Sequence, residues 1–415
     1  MDSTLKLNTK EPFAIELVHG EPVLPKGYTA GGMHVGIKRK KKDLGWIVSL
    51  KEAEGALVTT QNQFPAAPIV RVRETFGSYG PLKGVIVNSG NANALTGQEG
   101  MHHARTMQEK FAELIGASSA EVILASTGVI GVPLPIEKIM QGYERLRMGG
   151  IENHHDPASF AAAILTTDTM TKIVSTTLII DGSEVNIVGY AKGSGMIQPN
   201  MATMLAYVMT DAAVDGADLF QLWQAVIRKT FNRISVDGDA STNDMALILA
   251  NGASGVHLSP SHSAWASFAA AVYRITRELA RLIARDGEGA SKLLEVVVSG
   301  AASEEDADKV GRAIVNSPLV KTAVYGEDAN WGRIVAAIGY SGARLDTEKV
   351  SVRIGDVLIF HGGSGIAVHE EKIKAYLAAS TIRIEVNLGV GEHEVEWFGC
   401  DLTEGYVKIN AHYRT

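Results

Sequence analysis

The stretch Lys192-Gly193-Ser194-Gly195-Met196-Ile197-Gln198-Pro199-Asn200-Met201-Ala202-Thr203-Met204-Leu205 decides how the rest of this chain is read. Upstream of it, residues 185–190 form a β-branched run that reads as a strand; downstream, 203–209 is apolar and reads as another. Between them the two glycines make a tight turn and Pro199 fixes one backbone dihedral. The hydroxyl of Thr203 therefore falls where the second strand begins. One reading is a buried strand whose first threonine bonds to its own backbone. The other is a hydroxyl set up for chemistry, and short motifs alone do not choose between the two.

Working outward, β-branched runs stopped by Gly, Asn or Asp predict strands at 84–88, 122–125, 173–180, 246–249, 295–298, 350–360 and 382–388. Stretches of helical period lie between them. In 262–284, Trp265, Phe268, Val272, Ile275 and Leu279 recur at spacings of three and four, and 100–115, 218–234, 304–314 and 370–378 behave alike. The 43 glycines gather at strand ends, which indicates tight turns rather than flexible linkers. The fold class is α/β, with helices layered on mixed sheets. Antiparallel pairing is expected near the C-terminus, where 382–388, 394–398 and 406–409 follow each other after short turns. No linker, repeat or low-complexity tract marks a domain boundary.

Composition narrows the function classes. Of 415 residues, 46% are hydrophobic and 20% charged, which excludes a disordered, collagenous or small disulfide-stapled chain. Lys and Arg number 39 against 46 Asp and Glu, a net −7 that offers nucleic acid no electrostatic footprint. The one basic run, Lys38-Arg39-Lys40-Lys41-Lys42, reads as a solvated turn rather than a binding patch. A single cysteine, Cys400, removes intramolecular disulfides, cysteine zinc sites and iron–sulfur clusters and fits a reducing cytoplasm. Residues 1–6 show no signal or transit character, and no run of 18 apolar residues could span a membrane. A soluble, cytoplasmic protein is expected.

Familiar catalytic motifs fail one by one. No lysine has a P-loop context, and Gly193-Ser194-Gly195 lacks the third glycine of a dinucleotide fingerprint, position 198 being Gln. No serine sits in a G-x-S-x-G elbow. The segment 237–248 begins like a calcium loop but has Thr242 where the turn glycine belongs and Ile248 where the bidentate glutamate belongs. His102-His103 and His154-His155 are adjacent pairs whose side chains point apart, so no metal site is expected.

The run from Pro199 to Leu205, with Lys192 upstream, resembles the ornithine acetyltransferase / glutamate N-acetyltransferase family of arginine biosynthesis. Further blocks match in order: Asn88-Ser89-Gly90-Asn91-Ala92-Asn93-Ala94, Ser126-Thr127-Gly128-Val129-Ile130-Gly131, residues 235–244, Asp286-Gly287-Glu288-Gly289-Ala290-Ser291-Lys292, Asn330-Trp331-Gly332-Arg333-Ile334 and Ile409-Asn410-Ala411-His412-Tyr413-Arg414-Thr415. Each block is weak; seven in sequence cover nearly the whole chain. Gln198 and the segment 149–156, a local loop extension, depart from the pattern away from the proposed nucleophile.

The resemblance implies an N-terminal-Thr-nucleophile acetyltransferase fold that cuts itself between Ala202 and Thr203, giving an α chain of 1–202 and a β chain of 203–415. It implies acetyl transfer from N2-acetylornithine to glutamate through acetyl-Thr203, with Thr127 and Gly128 as oxyanion donors. Substrate-binding positions carried over are Thr166, Lys192, Thr203, Glu288, Asn410 and Thr415. No cofactor is implied; some members also accept acetyl-CoA as a co-substrate. Two α and two β chains are expected to form a heterotetramer, without nucleic-acid or membrane partners. The rival readings are a hydrolase using the same N-terminal threonine, an aminopeptidase or amidase of related fold, and a non-catalytic small-molecule binding protein that stays uncut.

Overall fold

The computed structural model describes residues 15–198, 204–367 and 370–412. Among these, two compact units form: 15–193 with 204–228 and 240–279, and 194–198 with 229–239 and 280–412. Each unit is a sheet covered by helices.

The strands of the first unit are β1 (Val18–His19), β2 (Tyr28–Met33), β3 (Leu44–Thr59), β4 (Tyr79–Asn91), β5 (Val122–Val129), β6 (Lys172–Ile180), β7 (Ser183–Lys192), β8 (Leu205–Thr210), β9 (Ala213–Val214), β10 (Met245–Ala250) and β11 (His257–Leu258). Nine of them make one sheet in the order β1-β6-β7-β8-β10-β3-β4-β5, with β2 also paired to β3. β3 has room for both partners because it is long. Its first half faces β2, its second half faces β10, and its ladder with β4 shifts register between Val48 and Ala53. The shift coincides with the exposed triplet Leu50-Lys51-Glu52, where the apolar pattern breaks.

β8 and β10 run parallel, as do β4 and β5. Parallel neighbours require a crossover, here α2 (Gly97–Ile115) between β4 and β5 and α5 (Gly216–Lys229) between β8 and β10; α1 (Ala67–Thr75) precedes β4, and α3 (Ile136–Gly149) and α4 (Pro157–Ala163) follow β5. Central strands buried on both faces have no polar side to alternate with, hence Met245–Ala250 and Leu205–Thr210 are apolar almost throughout. Leu205, Tyr207, Met209, Met245, Leu247 and Leu249 join the core cluster that includes α1–α4. On the opposite face, Trp223 of α5 donates to Ala246 O at 3.0 Å, and α6 (Trp265–Arg285) lays Ile275 and Leu279 against Gly189 of β7. Phe268, Val272, Ile275 and Leu279 are fully buried, as the helical spacing predicts.

The second unit has the sheet order β15-β14-β13-β16-β12-β17. Its strands are β12 (Leu293–Ala301), β13 (Ser351–Ile354), β14 (Val357–His361), β15 (Ser364–Gly365), β16 (Thr381–Asn387) and β17 (His393–Cys400). The helices are α7 (Glu304–Asn316), α8 (Pro318–Tyr325), α9 (Trp331–Tyr340), α10 (Glu370–Leu377) and α11 (Glu404–Ala411). Ala307, Val310 and Ile314 of α7 meet Val296, Val298 and Trp397 in one core.

Several sequence expectations need correction. Residues 350–360 form a hairpin, β13 and β14, rather than one strand, because the chain reverses at Gly355-Asp356. Residues 406–409 are helical, lying in α11, where the Thr403 hydroxyl caps the first turn by accepting from Gly405 N–H. β16 and β17 do not pair with each other; β12 lies between them, parallel to β16 and antiparallel to β17. The helix expected over 218–234 ends at Lys229, and a 3-10 turn covers Phe231–Arg233. The extension at 149–156 is the end of α3 and a 3-10 turn, Ile151–His154. The bond between residues 202 and 203, where the cut is expected, falls by sequence in the connection between β7 and β8, neighbours in one sheet.

Candidate active site

In the first unit the site is built at the ends of β4, β5 and β7. Thr127 and Gly128 close β5 beside Gly90 and Asn91 of β4, where the ladder shifts register. Gly128 has φ +135°, and a Cβ there would lie 2.4 Å from Gly90 C and 2.5 Å from Asn91 N. Only glycine permits that approach. Asparagines fasten the surroundings: Asn88 Oδ1 accepts from Ser126 Oγ at 2.6 Å, and Asn243 Nδ2 donates to Ala92 O at 2.6 Å and Ser126 O at 2.8 Å. Two of the sequence blocks are thus scaffold for the third.

Lys192 ends β7, in register with Leu205 of β8. Its side chain is buried and its Nζ donates to Thr127 Oγ1 at 3.2 Å. A hydroxyl that accepts through a lone pair keeps its own proton to donate, and the ammonium polarises it toward donation. A Thr127 hydroxyl in this setting can serve as an oxyanion donor.

Behind Lys192 lies a carboxylate that sequence reading missed. Asp168 is buried; its Oδ1 accepts from Lys172 Nζ at 2.7 Å and Gly193 N–H at 2.6 Å, and its Oδ2 from Thr166 N–H at 3.0 Å. Burial pushes its pKa up, but the ammonium groups of Lys192 and Lys172 and its hydrogen bonds outweigh that and hold it well below the usual carboxylate range. Thr166 therefore joins the cluster through its backbone. Lys38 reaches the same region, with Nζ donating to Leu165 O at 2.9 Å. Burial lowers its pKa to about 8, opposed by the Asp43 carboxylate. The basic run is otherwise the solvated turn expected: Arg39, Lys40 and Lys41 are exposed, and the turn wraps buried Asp43, which accepts from the N–H groups of Val35, Gly36 and Lys38.

In the second unit, Glu288 is buried and its Oε2 accepts from Asn410 Nδ2 of α11 at 2.8 Å. Its backbone N–H donates to Ser194 O at 2.8 Å. A Cβ on Gly195 would sit 2.4 Å from the Glu288 carboxyl carbon, so the glycine makes room for the acid. Asp237, which opens the segment that resembles a calcium loop, is a second carboxylate here. It accepts from Met196 N–H at 2.6 Å, Ile197 N–H at 2.8 Å and the Tyr406 hydroxyl at 3.3 Å. Burial and the Asp237 charge push the Tyr406 phenol well up.

The site residues expected from sequence thus fall into two groups, Thr127, Gly128, Lys192 and Thr166 in one unit and Glu288 and Asn410 in the other. Ala202, Thr203 and Thr415 lie outside the described residues. The Asp237 segment resembles a calcium loop, yet its carboxylate is occupied by backbone N–H groups, and among the described residues no group of three or more His, Cys, Asp or Glu could hold a metal ion. No described helix is long and apolar enough to cross a membrane.

Comparison with known proteins bears out the resemblance read from the residues. The ArgJ family model matches residues 29–415. An arginine biosynthesis bifunctional protein ArgJ of Oceanobacillus iheyensis is 46% identical over 400 residues, covering 96% of this chain and 97% of that one. The protein of the same description from Listeria monocytogenes is 47% identical over 402 residues, covering 97% of this chain and 100% of its own. Among solved structures, the arginine biosynthesis bifunctional protein argJ of Bacillus halodurans shares 46% identity, covers 50% of this chain and 99% of its own, and has a TM-score of 0.49. The ornithine acetyltransferase of Mycobacterium tuberculosis, complexed with ornithine, shares 31% identity, covers 46% of this chain and 99% of its own, and has a TM-score of 0.40. Matches that run along nearly the full length of both sequences leave one assignment: this chain belongs to the ArgJ family.

Proposed function

We propose that this chain is a glutamate N-acetyltransferase of arginine biosynthesis that cuts itself between Ala202 and Thr203 and transfers acetyl from N2-acetylornithine to glutamate through acetyl-Thr203. The observation that carries the reading is the buried Lys192–Thr127 contact at the end of β7, the strand that pairs with β8 two residues past Thr203. Full-length similarity to proteins named as bifunctional in arginine biosynthesis supports the pathway and a second activity, which we assign to acetylation of glutamate with acetyl-CoA as co-substrate. Two α chains (1–202) and two β chains (203–415) assemble as a cytoplasmic heterotetramer.

In the first step Thr203 Oγ attacks the Ala202 carbonyl carbon, the Ala202–Thr203 C–N bond breaks as the amine leaves, and water hydrolyses the resulting ester. The products are an Ala202 carboxylate and a Thr203 with free α-amine and hydroxyl. An α-amine has a reference pKa of about 7.7–8.0, so it takes the Oγ proton near neutrality without a histidine. Oγ then attacks the acetyl carbon of N2-acetylornithine. The oxyanion is met by the Thr127 hydroxyl and the Gly128 N–H, the intermediate collapses, and ornithine leaves with the proton held by the α-amine. Glutamate's amine attacks acetyl-Thr203 in the second half and restores the hydroxyl. Lys192 suits a substrate carboxylate as well as Thr127, and the Glu288–Asn410 pair suits a substrate ammonium; Thr415 adds hydrogen-bonding groups.

The test is intact-mass spectrometry of the denatured protein before and after N2-acetylornithine. Two chains summing to the precursor plus one water, with an acetyl-sized gain on the 203–415 chain alone, is the expected result. Thr203→Ala is expected to stay one uncut, inactive chain; an active Thr203→Ala protein sinks the mechanism.

A further inference from the structure

The run of chain into the cleavage site is held in an unusual way. Met196 adopts φ +57°, a left-handed conformation costly for any residue with a Cβ. Its N–H and that of Ile197 both point at one carboxylate, Asp237, at 2.6 and 2.8 Å. Successive N–H groups around a left-handed residue make a concave anion seat, and a carboxylate in it forms charge-assisted bonds that offset the strained dihedral. Further bonds, Val236 N–H to Ile197 O at 2.7 Å and Gln198 N–H to Asp239 O at 2.9 Å, continue the fastening along the same two segments. The chain reaches Thr203 only five residues after Gln198.

We infer that Asp237 is a positioning residue for self-cleavage: by seating the Met196 and Ile197 N–H groups it fixes the chain a few residues ahead of the Ala202–Thr203 bond. This rests on the self-cleavage proposed above. Attack of Thr203 Oγ on the preceding carbonyl is intramolecular, so its rate depends on how tightly the flanking chain holds the near-attack geometry. Asp237 takes no part in bond making; the C–O bond forms, the C–N bond breaks and water adds as already described. The cleavage rate of the precursor is therefore the quantity this side chain sets first.

The experiment follows precursor conversion by intact mass in freshly made full-length wild type, Asp237→Asn and Asp237→Glu, alongside melting temperature and kcat per cut chain. Asp237→Asn keeps one acceptor oxygen and loses the charge and the second. It is expected to cut at least tenfold more slowly than wild type with an unchanged melting temperature, while Asp237→Glu recovers part of the cleavage rate. Cleavage at the wild-type rate in Asp237→Asn overturns the inference. So does a parallel fall of melting temperature, cleavage and kcat, the mark of a structural role only. A wild-type chain that stays uncut takes down self-cleavage and this inference together, a result distinct from either.

Discussion

In the mechanism proposed above, Thr127 acts as an oxyanion donor through one shared hydroxyl. Lys192 Nζ occupies a lone pair of that oxygen, which leaves a single proton to donate and fixes its direction. Removing the hydroxyl takes away a donor that matters only once negative charge has developed on the substrate oxygen. Thr127→Ala is therefore expected to lower kcat by about 100- to 1,000-fold with little change in KM. Steady-state kinetics with N2-acetylornithine and glutamate check this, and a pure KM effect would assign Thr127 to ground-state binding instead. Thr127, Gly128 and Lys192 were legible in the sequence because each sits in a block with a matching neighbour on both sides. Asp168 was not: it stands in a polar run, Thr166-Thr167-Asp168-Thr169, and its meaning appears only when Gly193, 25 residues away, brings its N–H to it. Asp237 stands in a segment with the look of a calcium loop, and a motif template asks what metal an acid could hold, not which backbone it could seat.

Elements with a helical or alternating period of their own were legible, and those whose geometry is set by neighbours were not. The period of 262–284 buries Phe268, Val272, Ile275 and Leu279 as expected, because one face of an isolated helix already specifies its core. By contrast, 406–409 looks like a strand by composition, and the Thr403 cap and the contacts of Tyr406 and Asn410 make it helix. The turn over residues 34–43 is an intermediate case. Its exposed basic residues were foreseen; the inward course of Lys38 was not. That course makes a pH prediction. Burial holds Lys38 at about pH 8 in the folded chain, with the charges of Asp43, Lys41, Asp168 and Lys192 facing it, against 10.5 for the ordinary side chain. Between those values the unfolded chain binds a proton that the folded chain has released, so stability rises with pH. Urea unfolding of wild type and Lys38→Met should show the difference between them moving in favour of wild type from about pH 8 to about pH 10. A difference that stays constant with pH would mean that Lys38 keeps its proton in the folded state.

On the scale of the whole chain, the proposed cut has a consequence that the strand order dictates. In β1-β6-β7-β8-β10-β3-β4-β5, the adjacent strands β8 and β10 belong to 203–415, whereas β7 and β3 on either side belong to 1–202. The β chain thus supplies the middle of a sheet whose flanks are α chain. Antiparallel ladders join them on both sides, from Ile187↔Thr210 to Lys192↔Leu205 and from Met245↔Thr59 to Ala250↔Glu54. Pulling the pieces apart would open two sheet edges at once and expose Leu205, Tyr207, Met245 and Leu247, all buried, to water. Breaking one peptide bond in the β7–β8 connection removes none of those contacts. The cut protein is therefore expected to run as one species in native size-exclusion chromatography, even after dilution to nanomolar concentration, and to yield two chains only in denaturant. In urea, the shared sheet of the first unit should be lost from both pieces at the same denaturant concentration. Dissociation of 1–202 from 203–415 under native conditions would mean that β8 and β10 leave the sheet after cleavage, and with them the pairing that sets Lys192 opposite Leu205.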